Sequence, residues 1–179
     1  DQPRSRGLGD VYKRQSLAGR LMDMTQIMMN CYDEPEMVHA TLEKATDFIL
    51  AYIQAYKDVG AHGVVIAEPA AGLLSPDLCE EFSSPYVKKI VDAVQDDQFL
   101  VIYHNCGNAA ARMVPQLLEI GASGYHFGNA VSMEEVLEQM PGGVLTMGNL
   151  DPVSVFRSGT PGQVRTDTLE LLKLSLIHI

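Results

Sequence analysis

Two rhythms of apolar and polar residues alternate along this chain, one helical and one extended. From "DEPE" (33–36), the apolar positions Val38, Leu42, Ala45, Ile49, Tyr52 and Tyr56 recur three or four residues apart, and Gly60 ends the run. The spacing predicts a helix over 33–60, with Asp33 as its cap and Glu36 completing a capping box. "GVVIAE" (63–68) is a short β-branched run and predicts a strand. Ser75-Pro76 opens a helical stretch to about Gln95, with a break near Pro85. "FLVIYH" (99–104) is the next strand, Asn108 to Ile120 the next helix, and Gly121 its stop. "SGYHF" (123–127) predicts a strand, "SMEEVLEQM" (132–140) a helix capped by Ser132, and "GVLTMGN" (143–149) a strand. Pro161 starts a last helix.

This is β-α repeated four times after a leading helix. Apolar strands separated by helices argue for a parallel sheet covered on both faces. The count suits half of a (β/α)₈ barrel as well as a small doubly wound sheet. Neither G-x-G-x-x-G nor G-x-x-x-x-G-K-[ST] follows any strand, which weakens a nucleotide-binding reading. The 179 residues and 46% hydrophobic content fit one packed domain. A formal net charge of −10 argues against nucleic acid or an anionic membrane as a partner. No apolar run approaches the ~18 residues of a membrane span. Three scattered cysteines make no disulfide framework, so a reducing, cytoplasmic setting is expected.

The two ends match each other in an unusual way. "DVYKRQ" (10–15) can be encoded by GATGTGTATAAGAGACAG, and the reverse complement of that sequence encodes "LSLIHI" (174–179). The shared sequence resembles the mosaic end of a transposon used to prepare sequencing libraries. Residues 1–15 and 174–179 are therefore read as translated adaptor, and residues 16–173 as an internal piece of a longer gene.

Every strand ends on polar residues: Glu68, then His104 and Cys106, then His126 and Asn129, then Asn149 and Asp151. Chemistry in barrels and open α/β sheets sits beyond the carboxyl ends of the strands. Within "VIYHNCGN" (101–108), His104 and Cys106 are two residues apart. Their side chains share one side of the strand, with Cα atoms about 7 Å apart, so both can reach one metal ion. Gly107 lets the backbone turn closely there. Plainer roles stand beside these: Asp151 as a helix cap, Glu68-Pro69 as a turn, His126 as a hydrogen-bonded loop histidine. Cys31 and Cys79 read as packing residues, and the nine methionines as core filler.

"GAHGVVIAEPAAGLLSP", "VIYHNCGN", "LEIGASGYHF" and "GNLDPVSVFRSGTPGQV" together resemble the uroporphyrinogen decarboxylase superfamily, from roughly Tyr32 to Leu172. The resemblance implies a (β/α)₈ barrel, of which about four βα units are present. The H-x-C-G segment is closest to the superfamily's zinc-dependent methylcobamide:thiol methyltransferases of the coenzyme M type. It implies zinc held by His104 and Cys106, with a third ligand, a cysteine, on the strand expected beyond Lys173. Some of those enzymes carry an acidic residue at the strand end after H-x-C. Here Gly128-Asn129 stand there, and His126 is the nearest substitute. By the same resemblance His126 and Glu68 are the catalytic candidates, and Glu68, Asn149 and Asp151 line the substrate. The implied partners are a corrinoid protein carrying the methyl donor and a small thiol acceptor. The 179-residue chain alone is expected to be inactive. Two other readings stay open: a metal-free uroporphyrinogen decarboxylase, and a non-catalytic barrel relative that binds a corrinoid or a partner.

Overall fold

Strand order decides between the two architectures. The computed structural model of the chain describes residues 9–12, 19, 21–68 and 70–175. Five parallel strands lie side by side in chain order: β1 (Gly9–Tyr12), β2 (Gly63–Ala67), β3 (Leu100–Asn105), β4 (Gly124–Phe127) and β5 (Leu145–Met147). A doubly wound sheet reverses its order at a switch point. This sheet never does. Right-handed crossovers in one direction put every helix on the same face, which is the winding of a (β/α)₈ barrel. The fold is a fragment of such a barrel, which the βα pattern left open and the family resemblance implied.

β1 is the strand that the sequence does not predict. It lies within the stretch read as adaptor and pairs with β2 from Gly9↔Val64 to Tyr12↔Ala67. Backbone pairing at an open sheet edge asks little of sequence. Of the other adaptor residues, 174 and 175 end the last helix, whereas 1–8, 13–15 and 176–179 lie outside the described residues, as does Pro69.

Two helices, not one, lead into β2: α1 (Met24–Asp33) and α2 (Pro35–Asp58). Asp33 therefore ends α1 and caps nothing. The cap position of α2 falls to Glu34, without a side-chain capping bond. Proline lacks an N–H and suits a first helical turn, so Pro35 restarts the chain as a new helix there. The cap of α1 is Asp23, whose carboxylate accepts the N–H of Thr25 at 2.9 Å. In α2 the buried stripe is Val38, Leu42, Ala45, Thr46, Ile49 and Ile53. Tyr52, predicted inside, is 45% exposed, whereas Ile53 is fully buried. A helix of 3.6 residues per turn drifts away from a strict 3.5-residue repeat, and by the fourth turn the core falls on Ile53.

The break expected near Pro85 separates α3 (Pro76–Phe82) from α4 (Ser84–Val94), with Ser83 at the joint. Ser75 caps α3 by accepting the Leu78 N–H at 3.3 Å. The helix predicted over 108–120 is instead a 3₁₀ turn, Ala110–Met113, followed by a short α5 (Val114–Leu118). Pro115 is the reason, because its ring excludes the preceding helical turn. Gly121 has φ +72°, the left-handed stop expected of it. The helix over 132–140 shortens to α6 (Met133–Leu137), and Ser132 makes no side-chain capping bond. A wide π-type turn, Pro152–Arg157, precedes α7 (Pro161–Ser175). None of the described helices is long and apolar enough to cross a membrane.

The strands show two unlike faces. Val64 and Ile66 of β2, Val101 and Tyr103 of β3, and Tyr125 and Phe127 of β4 are buried at 2% exposure or less. They pack with Leu42, Ile49, Val87 and Ile90 of the helix layer in one core. The opposite face, a barrel's interior, carries Leu100 and Leu145, at 44% and 50% exposure. His104 and His126 belong to that face by alternation.

Candidate functional site

The register of β3 and β4 brings two histidines together. His104 is the Cα partner of His126, and their rings stack with centroids 4.6 Å apart and planes at 29°. His104 Nδ1 lies 3.0 Å from the carbonyl oxygen of His126. A carbonyl only accepts, so Nδ1 carries the proton and donates it. The lone pair of His104 is then on Nε2, the nitrogen left for a metal or substrate. Burial, and then the neighbouring His104, lower the pKa of His126 below the ordinary histidine value.

Cys106 follows two residues after His104, with an exposed, unbridged thiol. His104, Cys106, His126 and Asn149 line one hollow of about 500 Å³, with Leu150, Phe156 and Leu171 as its apolar wall. A thiol and an imidazole are the donor types that zinc prefers. The number falls short, because among the described residues no three His, Cys, Asp or Glu side chains gather closely enough to hold a metal ion. His126 shares the hollow but stacks on His104 rather than converging with it.

The remaining predicted residues divide. Asn149 reaches the hollow, but its amide donates to the carbonyls of Gly128 at 3.0 Å and Val131 at 2.6 Å, so it pins the loop after β4. Asp151 does what the plainer reading said: its Oδ1 caps the π-type turn by accepting the N–H groups of Val153 and Ser154 at 2.7 and 2.9 Å. Its Oδ2 accepts from Asn129 at 2.7 Å, tying the β4 and β5 loops together. The structure does not bring Glu68 to the hollow. Glu68 is 1% exposed, and its Oε2 accepts from Ser83 Oγ at 2.7 Å and from the Tyr103 hydroxyl at 3.4 Å. Continuing the alternation of Val64 and Ile66, Glu68 faces the helices, so it is neither a wall nor a floor of the site. Cys31 and Cys79 are both in the core, as expected of packing residues.

Three contributors escaped the sequence reading. Asn105, fully buried, accepts the Gly107 N–H on Oδ1 at 2.9 Å and so shapes the turn after Cys106. Gly72 meets Gly107 backbone to backbone, with no room for a Cβ on either. Gly128 lies against Cys106, where an added Cβ would come within 2.6 Å of its Cα. The signal was present only as isolated glycines near strand ends, where a backbone must approach closely.

A family model described as uroporphyrinogen decarboxylase (URO-D) matches residues 15–177. Among curated relatives, a methylcobamide:CoM methyltransferase, MtbA, of Methanosarcina acetivorans is 29% identical over 82% of this chain and 43% of its own length. A uroporphyrinogen decarboxylase of Xanthomonas campestris is 27% identical over 83% of this chain and 42% of its own. The chain thus spans less than half the length of these relatives. Among solved structures, a methyltransferase from Methanosarcina mazei superposes with a TM-score of 0.81 at 19% identity, covering 93% of this chain and 49% of that one. That likeness bears on the fold alone.

Proposed function

The chain belongs to the uroporphyrinogen decarboxylase (URO-D) family, and from that premise we propose that it is part of a zinc-dependent methyltransferase that moves a methyl group from a corrinoid protein to a thiol. The observation that carries this reading is the pair His104 and Cys106, which face one hollow from the end of β3. His104 would offer Nε2 and Cys106 its thiolate, with a third ligand supplied by a cysteine from the rest of the full-length protein. Held by these residues, a zinc ion would supply the positive charge that keeps an acceptor thiol deprotonated at neutral pH, the form in which it can accept a methyl group.

The chain's own residues have narrower tasks. The bond from His104 Nδ1 to the His126 carbonyl fixes the tautomer and the ring's direction. His126 faces the hollow and supports His104. Leu150, Phe156 and Leu171 give the acceptor's carbon skeleton an apolar wall. Asn149 and Asp151 hold the loops that frame the substrate. The methylcobamide relatives favour the same reading, as does H-x-C itself, a motif that in this superfamily marks the methyltransferase branch. The enzyme would work in the cytoplasm, and residues 1–15 and 174–179 would be no part of it.

Elemental analysis of the freshly purified full-length protein tests the reading, with about one zinc per chain expected. His104→Ala and Cys106→Ser should each strongly weaken zinc binding. Protein that contains no zinc, yet decarboxylates a tetrapyrrole acetate, would replace this function with the decarboxylase one. Methyl transfer assayed with several thiols separates an enzyme from a binding-only relative.

A further inference from the structure

Glu68 is placed where a site residue was expected, at the carboxyl end of β2, but it points away from the site. It belongs to a buried chain of bonds that runs to the candidate metal ligands. Ser83, at the α3–α4 joint, donates to Glu68 Oε2 at 2.7 Å. The Tyr103 hydroxyl donates to the same oxygen at 3.4 Å, and accepts from Asn105 Nδ2 at 3.4 Å. Asn105 Oδ1 accepts the Gly107 N–H at 2.9 Å. The Glu68 N–H donates to the His104 carbonyl at 2.9 Å. Backbone and side chain of one residue therefore both end on the segment 104–107.

We propose that Glu68 is a positioning residue for the His104–Cys106 pair: through Tyr103 and Asn105 it sets the 105–107 turn, and with it the direction of the Cys106 thiol. Mere filling of space would not call for a carboxyl group. Burying one is costly, and an apolar side chain of similar volume often serves stability as well or better. What the carboxyl group adds is an acceptor that orients two hydroxyls in different elements. Gly107 has little freedom to compensate, because its backbone abuts Gly72.

Two readouts on the full-length protein test this, and only the second rests on the zinc reading. The first is hydrogen exchange of the Gly107 amide, compared with that of Val101, whose N–H is held independently by Gln95 Oε1 at 3.3 Å. In Glu68→Leu, Gly107 exchange should rise about tenfold while Val101 is unchanged, as expected when one hydrogen bond is released locally. Glu68→Gln keeps an acceptor oxygen and should restore most of the protection. The second readout is zinc affinity, which should fall about 10–100-fold in Glu68→Leu, the usual effect of losing an outer partner of a ligand. Ser83→Ala provides a milder variant, with a smaller shift of the same sign at Gly107, if Glu68→Leu does not fold. Unchanged Gly107 exchange in the folded variants, or Gly107 and Val101 loosening equally, would overturn the proposal. If the unsubstituted protein contains no zinc, the functional reading fails, and Gly107 exchange still judges the role of Glu68.

Discussion

Gly128→Ala is the smallest change that should move the site. A Cβ on residue 128 would lie 2.6 Å from Cys106 Cα and 2.7 Å from Cys106 Cβ. Ordinary contact begins at 3.4 Å, so taking 2.6 from 3.4 leaves about 0.8 Å to be found. Residue 128 cannot easily supply it. Its N–H is bonded to the Asn105 carbonyl at 3.0 Å, and its own carbonyl accepts from Asn149 at 3.0 Å. The displacement should therefore fall mainly on Cys106, beyond the roughly 0.5 Å within which a functional side chain must be held. Overpacking of this kind costs about 1–3 kcal/mol. At no more than about 2–4 °C per kcal/mol for the longer full-length protein, Tm should drop by at most about 12 °C. Zinc affinity of the full-length protein, measured by chelator competition, should fall about tenfold or more, since the displaced group is one of the two proposed ligands. Gly142→Ala is the control, because nothing lies within 4 Å of a Cβ there. If Gly128→Ala melts like Gly142→Ala and keeps its zinc, the close approach of the β4 loop to Cys106 is not real.

Three further outcomes are expected. Ile53→Ala, at a position with no exposure, should cost about 2–5 kcal/mol in denaturant unfolding, whereas Tyr52→Ala at the neighbouring exposed position should cost far less; equal losses would refute the core register of α2. The Asp96 carboxyl is held below its ordinary value by the Lys57 ammonium at 2.6 Å and then by the Gln98 N–H. A lowered acid pKa stabilises fully above the unfolded value of about 3.9 and loses that contribution as pH falls from there through the lower folded-state pKa. Asp96→Asn should therefore flatten acid unfolding below about pH 4, and an unaltered acid limb would count against the pairing. His126→Ala should reduce methyl transfer by the full-length enzyme while leaving melting nearly unchanged; full turnover would make the residue idle, and a large drop in Tm with zinc intact would make it structural.

How legible all this was depends on the range of each interaction. The βα order, the strand cores and the direction shared by His104 and Cys106 follow from local period, and the sequence contains them. Glu68 was legible too, but misread. Counting by twos from Val64 and Ile66 puts it on the buried face, a step that the polar strand ends obscured. Alternation could not choose a face for β3, because Leu100 to Tyr103 are all apolar. Asp33 has the sequence of a cap, but the proline restart at Pro35 decided otherwise, whereas Ser132 takes the N-cap position expected of it without making a side-chain bond. The meeting of Gly72 with Gly107, and of Gly128 with Cys106, joins residues from different βα units. No local pattern encodes such contacts, because they exist only once the strands are in register.

The bond from His104 to the His126 carbonyl crosses from one strand to the next, and this makes the imidazole a gauge of the sheet. A slip of one residue between β3 and β4 would turn His126 toward the helices and leave His104 Nδ1 without its acceptor. A smaller shear would tilt the ring instead, and with it the lone pair on Nε2. The reach of the first donor is thus tied to how two strands lie against each other, rather than to the flexibility of a loop. Strain applied far along the sheet would be felt at this ring as a change of aim before it was felt as a loss of structure.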